Sequence, residues 1–98
     1  MKARSLIDRR IVIGPSIFAE LVLWELPTPV RGSNHPYKYR LALISSSVCV
    51  LRYDNEAGKG DHRHRGERED AYLFENIDRL VEDFLADVRS WLHEHRNA

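Results

Sequence analysis

The sequence has a single cysteine, no long hydrophobic run and no net charge, and the first two of these features each exclude a class of protein. Its single cysteine, Cys49, cannot form a disulfide within the chain, and its place in an apolar run predicts a buried, unreactive thiol. No window approaches about 18 apolar residues, and the first ten residues lack the apolar stretch of a signal peptide. We therefore expect a protein that acts in the cytoplasm and does not insert into a membrane.

The net charge of zero conceals an uneven distribution of charge along the 98 residues. Residues 1–68 contain 12 Lys or Arg against 7 Asp or Glu, a net charge of +5, and residues 69–98 contain 3 against 8, a net charge of −5. The acidic part is typical of the solvent-facing side of a helix. The basic excess of the first part is a weak indication of an anionic substrate.

The length of the chain indicates a single domain spanning residues 1–98. Apolar residues make up 43% of the sequence, which is enough for a packed core. A domain of this size buries a smaller share of its surface than a larger one does. A homodimer or an obligate partner would therefore add to its stability.

Branched, aromatic and alternating apolar residues predict strands within residues 4–53. A proline-rich segment separates the second strand from the third, and three consecutive serines supply a turn between the third and the fourth. The predicted strands lie at residues 4–13, 17–26, 37–45 and 48–53.

An apolar stripe near the end of the chain predicts a helix over residues 76–95. Apolar residues recur at spacings of three and four from Ile77 to Leu92. Asn76 is a suitable N-cap, and Asp78 lies in the first turn, where the helix dipole favours an anion. The stripe must be covered, and the sheet is the available partner. We therefore predict an α+β domain with an antiparallel sheet of about four strands and one C-terminal amphipathic helix packed on a face.

A stretch rich in charge, glycine and histidine lies between the last predicted strand and the helix. Residues 53–69 contain two histidines, four Lys or Arg, five Asp or Glu and three glycines, with almost no apolar residue. Such a segment cannot build a core, so we predict that residues 54–72 form a loop. The loop is either reactive or a run of solvated charges, and charge runs are usually solvated.

The strongest candidate for chemistry is the run Asp-His-Arg-His-Arg in the middle of this stretch. In an extended conformation His62 and His64 share one side, while Arg63, Arg65 and Asp61 share the other. Two neighbouring imidazoles can act as general base and general acid near neutral pH. Nearby guanidinium groups can hold a phosphate and stabilise the charge that develops on it. Together these groups suit the cleavage of RNA by transesterification.

Further residues are candidates for orienting the histidines or for binding RNA. Asp54 or Asp61 would orient a histidine, and Tyr53 would stack on a base. Alternatively, the Tyr-Asp-Asn run is only a strand end followed by a turn that its own side chains stabilise. The candidates for contact with phosphate or nucleic acid are Lys59, Arg63, Arg65, Arg40, Arg52, Tyr53 and Asn55.

The two histidines can also be considered as metal ligands, together with Asp61 or Asp54. No second pair of His or Cys stands at zinc-finger spacing, and Cys49 is expected to be buried. We therefore predict no metal and no cofactor, and we keep a metal-dependent nuclease as an alternative.

Two segments carry a more specific pattern. The first begins with Tyr-Lys-Tyr-Arg-Leu at residue 37, continues through Asp-Asn and His-Arg-His, and ends with Tyr-Leu-Phe at residue 72. The second is Glu-Leu-Val-Leu-Trp-Glu-Leu-Pro-Thr-Pro-Val, which starts at residue 20. Together they resemble the TumE-type toxin family of small prokaryotic toxin–antitoxin systems over nearly the whole chain. Asp54, Asn55, His62 and His64 match the motif of that family, whereas Arg65 stands where many relatives are expected to have an aliphatic residue.

This resemblance implies a cytoplasmic toxin that a cognate antitoxin neutralises and that acts on RNA or on translation. The main prediction is a toxin that cleaves RNA without a metal, with His62 and His64 as base and acid. The alternative is a non-catalytic module that binds nucleic acid or protein.

Overall fold

The computed structural model describes residues 2–95 and contains one sheet and one helix. Six antiparallel strands lie in the sheet in the order in which they occur in the chain. They are followed by the helix. The strands are β1 (Arg4–Gly14), β2 (Ile17–Glu25), β3 (Tyr37–Ser45), β4 (Val48–Glu56), β5 (Gly60–Arg65) and β6 (Arg68–Ala71), and the helix is α1 (Ile77–His95). The prediction of an α+β domain with an antiparallel sheet and a C-terminal helix is confirmed, with six strands in place of about four.

One face of the sheet, here called the helix face, forms the core with α1. Alternate residues of the central strands contribute to it, because successive side chains of a strand point to opposite faces. The buried side chains of this face come from β2, β3 and β4, and they are Ala19, Leu21, Leu23, Tyr39, Leu41, Leu43, Leu51 and Tyr53. Leu80, Phe84 and Val88 of α1 pack against them.

The helix begins where the sequence predicts. The side-chain oxygen of Asn76 accepts a hydrogen bond from the backbone N–H of Arg79 at 2.8 Å, which is the geometry of an N-cap. Asp78 lies in the first turn, where its negative charge complements the helix dipole, and His93 and His95 lie in the last turn.

The prediction of a loop over residues 54–72 is wrong, because most of this stretch belongs to the sheet. β4 continues to Glu56, and Gly60–Arg65 and Arg68–Ala71 form the last two strands. Gly58 and Gly60 have φ values of 87° and 80°, which allow the tight turn between β4 and β5. A polar strand is stable here because its side chains pair with charged residues on both neighbouring strands.

Cys49 is exposed, so the predicted burial of its thiol is also wrong. A register shift occurs between β3 and β4 next to Ile44, which pairs with Cys49. Such an irregularity adds a residue to one strand and turns the following side chains to the other face. The apolar run around Cys49 gives no sign of this shift.

Candidate active site

The two histidines of β5 lie on the face of the sheet opposite the helix, here called the open face. His62 pairs with Asp54 of β4, and His64 pairs with Arg52. Arg40 of β3 pairs with Asp54 in turn, so it belongs to the same face. The strand alternation expected from the sequence therefore brings both imidazoles together with Asp54, Arg40 and Arg52.

The imidazole rings of His62 and His64 lie close enough to act on one small group. Their centroids are 6.5 Å apart, and both side chains are partly buried. Glu69 of β6 lies between them, with one carboxylate oxygen 3.2 Å from Nδ1 of His62 and the other 3.8 Å from Nδ1 of His64. The two rings therefore share one acidic neighbour on the adjacent strand.

The second nitrogen of each ring faces a different kind of group. Nε2 of His62 is 2.8 Å from the backbone carbonyl oxygen of Lys59, so this nitrogen carries a proton and donates. Nε2 of His64 is 3.1 Å from Nη2 of Arg52, which is only a donor, so this nitrogen accepts. The surroundings thus fix the hydrogen on His62 Nε2 and leave a lone pair on His64 Nε2.

The guanidinium of Arg52 lies between the histidine pair and Asp54. Its Nε is 3.1 Å from a carboxylate oxygen of Asp54, but the angle does not make a hydrogen bond, and this buried Nε has no hydrogen-bond partner within residues 2–95. Asp54 also lies 3.9 Å from Nε2 of His64. The Arg52 side chain as a whole is 34% exposed, so the part of its guanidinium beyond this Nε can face an incoming anion.

A shallow groove runs beside His64 on this face. Its volume is about 160 Å³. Its lining residues are Cys49, Val50, Leu51, Arg52, His64 and Gly66. The groove lies beside His64 and Arg52, towards the end of the sheet where the β3–β4 turn lies.

Arg63 and Arg65 lie on the helix face and cannot join the histidines at one phosphate. Arg63 is 3.9 Å from Asp87 of α1, and its guanidinium lies 6.0 Å from the centre of the Tyr53 ring. Arg65 is 3.6 Å from Asp70. The alternation of an extended strand predicts that these two arginines lie opposite the histidines, and the sheet itself separates the two sides. Their predicted role as phosphate ligands beside the histidines is therefore wrong.

Lys59 lies in the turn between β4 and β5, with its side chain exposed and 3.7 Å from Glu56. Its carbonyl oxygen, which holds His62, is the part of this residue that contacts the candidate site. Its ammonium group is exposed beside Glu56, and its contact with phosphate stays a prediction.

Tyr53 cannot stack on a base, because its side chain is 0% exposed. Its hydroxyl donates to a carboxylate oxygen of Asp87 at 2.5 Å, which joins the sheet to the helix. Burial, followed by this hydrogen bond, raises the pKa of Tyr53 above its ordinary value. Tyr53 is a core residue, and its predicted contact with RNA is wrong.

Asn55 is also buried and holds the backbone of a neighbouring strand. Its Oδ1 accepts from the N–H of Tyr39 at 3.0 Å, and its Nδ2 donates to the carbonyl oxygen of Tyr37 at 2.7 Å. The predicted contact of Asn55 with nucleic acid is therefore wrong. The Asp-Asn pair divides between the two faces, with Asp54 beside the histidines and Asn55 within the core.

Asp61 orients a histidine, but that histidine is His35 and not His62 or His64. The Asp61 side chain is 8% exposed and accepts from the hydroxyl of Ser33 at 2.6 Å and the hydroxyl of Tyr39 at 2.6 Å. The oxygen that accepts from Tyr39 is also 2.7 Å from Nε2 of His35. Burial, and then Asp61, raise the pKa of Tyr39. The predicted catalytic role of Asp61 is replaced by a structural one.

Sequence reasoning missed Glu69 and His35. Glu69 meets the histidines only because β6 pairs with β5, and the sequence predicts a loop there. His35 is 26 residues away from Asp61 in the sequence, and no local pattern distinguishes it from an incidental loop histidine. The signal for Glu69 was present, since Gly66-Glu67 separates two short polar segments and is compatible with a hairpin turn.

Within residues 2–95, no group of three or more His, Cys, Asp or Glu side chains is arranged to hold a metal ion. The one helix of this part of the chain is not long and apolar enough to cross a membrane.

A family model described as "Toxin TumE" matches residues 2–92. No curated protein matched the chain, and no solved structure did. The matched region includes all six strands and most of the helix.

Proposed function

The chain belongs to the TumE toxin family, and from this premise we propose that it is a toxin that cleaves RNA with the histidine pair on the open face. The family supports the toxin component of a toxin–antitoxin system and implies a cognate antitoxin as partner. RNA cleavage, action in the cytoplasm and the roles of individual residues are our proposals. The observation that carries them is the placement of two imidazoles, 6.5 Å apart, beside a guanidinium on an accessible face.

In the proposed reaction His64 is the general base. Its Nε2 has a lone pair that Arg52 holds in the free protein. When a phosphate binds, Arg52 turns to it, and Nε2 takes the proton from the 2′-hydroxyl of the RNA. The 2′-oxygen then attacks the neighbouring phosphorus.

His62 is the general acid. Its Nε2 is held by the Lys59 carbonyl, so Nδ1, next to Glu69, is the nitrogen that faces the site. The protonated ring gives the Nδ1 proton to the departing 5′-oxygen as the bond from phosphorus to that oxygen breaks. The products are a 2′,3′-cyclic phosphate and a 5′-hydroxyl. His64 has gained one proton and His62 has lost one, and exchange with solvent restores both.

Arg52 stabilises the charge on the reacting phosphate, and Arg40 adds a second cation nearby. The Arg52 side chain is partly exposed and lies next to His64, which fits a cation that binds the phosphate beside the general base. Arg40 is exposed on the same face and pairs with Asp54 in the sheet register. Asp54 and Glu69 orient Arg52 and the histidines.

The test is growth after induced expression, with total RNA examined in parallel. Wild type is expected to arrest growth and fragment RNA, whereas His62→Ala and His64→Ala should each reduce cleavage by at least about 100-fold, because each removes one proton-transfer group. His93→Ala, which changes an exposed histidine on α1, is the matched control and should leave the arrest intact.

Circular dichroism should show that the variants keep the fold, since both histidines are on the open face and outside the core. Arrest with full RNA cleavage in a folded His62→Ala/His64→Ala double variant would refute the catalytic proposal. Cleavage that depends on the histidines but disappears with EDTA and returns with a divalent cation would favour the metal-dependent nuclease.

A non-catalytic binding module is the second candidate, and one observation favours it. Trp24 is 40% exposed on the open face and pairs with Lys38, so an aromatic ring and a cation lie side by side there. Such a pair can hold a nucleotide without cleaving it. Binding of RNA that survives loss of both histidines, weakens with loss of Arg40 and Arg52, and falls steeply with salt would support this candidate over the enzyme.

A further inference from the structure

The outer edge of β1 has no neighbour within residues 2–95, although it is the longest strand in the sheet. β1 has 11 residues and pairs only with β2. An unpaired edge presents a row of N–H and C=O groups that can accept another strand. Proteins usually protect such an edge with short length, charge or proline.

The two edges of this sheet differ in that protection. The other edge is β6, which has four residues, and three of these are charged. β1 is much longer and contains no proline. Four of its 11 residues are charged, but Leu6, Ile11, Val12 and Ile13 are also exposed on it, with Val12 at 75%. Its length and exposed apolar residues therefore leave the edge at β1 more open to pairing than the edge at β6.

An apolar groove lies along the same edge on the helix face. α1 covers the middle of the sheet, so a gap of about 630 Å³ opens between α1 and β1. Ile7 and Ile11 of β1 line it from one side, and Val81 and Leu85 of α1 line it from the other. An occupant that pairs with β1 would also fill this groove with side chains.

We propose that the occupant is a second copy of this chain, which pairs its own β1 antiparallel to the first with Arg9 on the two-fold axis. In this register Asp8 of each copy lies opposite Arg10 of the other, and Ile7 lies opposite Ile11. Two symmetry-related ion pairs and two apolar pairs then flank the axis, and each stabilises a sheet. β1 is regular between its two register shifts, from Ile7 to Val12, which is the stretch that this pairing uses.

The register is selected by charge. A shift that places Asp8 on the axis sets two aspartates opposite each other, and one that places Arg10 on the axis sets two arginines opposite each other; like charges directly opposite are unfavourable. The register centred on Arg9 leaves one like pair, the two Arg9 side chains at the axis. It is the register that also forms the two ion pairs between Asp8 and Arg10.

The same register also agrees with the faces of the sheet. It pairs residues of the same parity, so the helix faces of both copies lie on one side. Ile7, Arg9 and Ile11 face the helix side, because they pair with Leu23, Leu21 and Ala19 of the core. The two grooves therefore meet across the axis, and the histidine pairs lie far apart on the opposite side. The proposal does not rest on RNA cleavage.

The experiment measures molar mass by sedimentation equilibrium of the purified chain over a range of concentrations. The wild type is expected to approach twice the 11.5 kDa of the monomer. Asp8→Arg and Arg10→Asp should each raise the dissociation constant by roughly tenfold or more, because two pairs change from attraction to repulsion. Both positions are exposed, so the fold should persist, which circular dichroism checks.

Mixing the two single variants provides the sharpest test. The Asp8→Arg variant has a cation at both positions 8 and 10, and the Arg10→Asp variant has an anion at both. Position 8 of either variant therefore meets an opposite charge at position 10 of the other, so the mixture should form a heterodimer. The Asp8→Arg/Arg10→Asp double variant should recover the homodimer, and Arg9→Thr, which removes the like pair at the axis, should dimerise more tightly than wild type.

A wild type that stays monomeric at all concentrations would overturn the proposal. A dimer whose dissociation constant is the same in the wild type and in the Asp8→Arg and Arg10→Asp variants would show that the copies do not pair along β1 in this register. A mixture of the two variants that forms no heterodimer would show the same. A monomer whose Asp8→Arg and Arg10→Asp variants lose binding to the antitoxin would assign this edge to the antitoxin instead.

Discussion

Asp61 lies on the same strand as His62 and His64, β5, but on the opposite face of the sheet. The period of two in a strand predicts that His62 and His64 share a side and that Arg63 lies on the other, and the structure agrees. The sequence could not say which side is the core, because no residue of the run is apolar. Arg63 lies inside because Asp87 and the Tyr53 ring provide it with partners there.

The same separation explains why the role of Asp61 could not be predicted. Its partners, Ser33, His35 and Tyr39, are 22 to 28 residues away, and no local pattern links them to it. Residues whose function depends on a remote partner are the ones that sequence reasoning assigned wrongly here.

At the residue scale we predict that Asp61→Ala lowers the free energy of unfolding by about 3 kcal/mol, because it leaves two hydroxyl donors and an imidazole without their acceptor. The melting temperature should fall by on the order of 10–20 °C. Thermal denaturation followed by circular dichroism measures this. Glu67→Ala, which changes an exposed carboxylate in the β5–β6 turn, is the control and should be nearly neutral. Equal melting temperatures for the two variants would contradict the structural role of Asp61.

The elements differ in how well the sequence predicted them. Strands β2 to β4 and the helix have an apolar face, and their period identified them. β5 and β6 have almost only polar residues and no apolar face, so their pairing depends on the strands beside them and was missed. Glu69 of β6, the carboxylate beside both histidines, was missed with them.

At the element scale we predict that the turn before β5 is sensitive to a single methyl group. A Cβ on Gly60 would lie 2.8 Å from the carbonyl oxygen of Gly32, and φ there is 80°, so Gly60→Ala combines strain with a backbone clash. We expect a loss of about 2–4 kcal/mol in the free energy of unfolding. Because β5 starts at Gly60 and contains both histidines, toxicity should fall with it.

Gly66→Ala provides the matched control for this position. Gly66 also has a positive φ, 62°, but nothing lies within 4 Å of a Cβ placed there. It should cost about 1 kcal/mol from backbone strain alone. Urea denaturation of both variants separates the clash from the strain, and similar midpoints would show that the contact with Gly32 does not constrain the turn.

At the scale of the whole molecule, three buried or partly buried tyrosines donate hydrogen bonds to carboxylates of other elements, one in β5 and two in α1. Burial is the main cause that raises the pKa of Tyr39, Tyr53 and Tyr72, and hydrogen bonds to Asp61, Asp87 and Asp83 add to it. A raised pKa means that the folded protein keeps these protons at a pH where the unfolded chain has lost them. Their contribution is therefore complete below about pH 10, the ordinary value for tyrosine, and declines as the pH rises above it.

We predict that the protein unfolds in alkali. Above about pH 10, each of the two fully buried tyrosines, Tyr39 and Tyr53, should lower the free energy of unfolding by about 1.4 kcal/mol per pH unit. Urea midpoints measured from about pH 8 to 12 give the slope, and tyrosinate absorbance should rise together with unfolding. Tyr53→Phe removes one titrating group and should therefore reduce the slope by about 1.4 kcal/mol per pH unit. A slope that this substitution leaves unchanged would contradict the prediction.

The order of the strands determines the order in which the parts of this protein can fold during its synthesis. Every strand pairs with its neighbour in the chain, so each hairpin can form as soon as its second strand has been made, and such local contacts favour fast folding. The helix that covers the middle of the sheet, residues 77–95, comes after all six strands in the chain. The apolar face of the sheet therefore stays uncovered until the helix has been made and has docked. A cell that makes this toxin must have its antitoxin ready before the helix docks, because the hairpins of the sheet can already be in place by then.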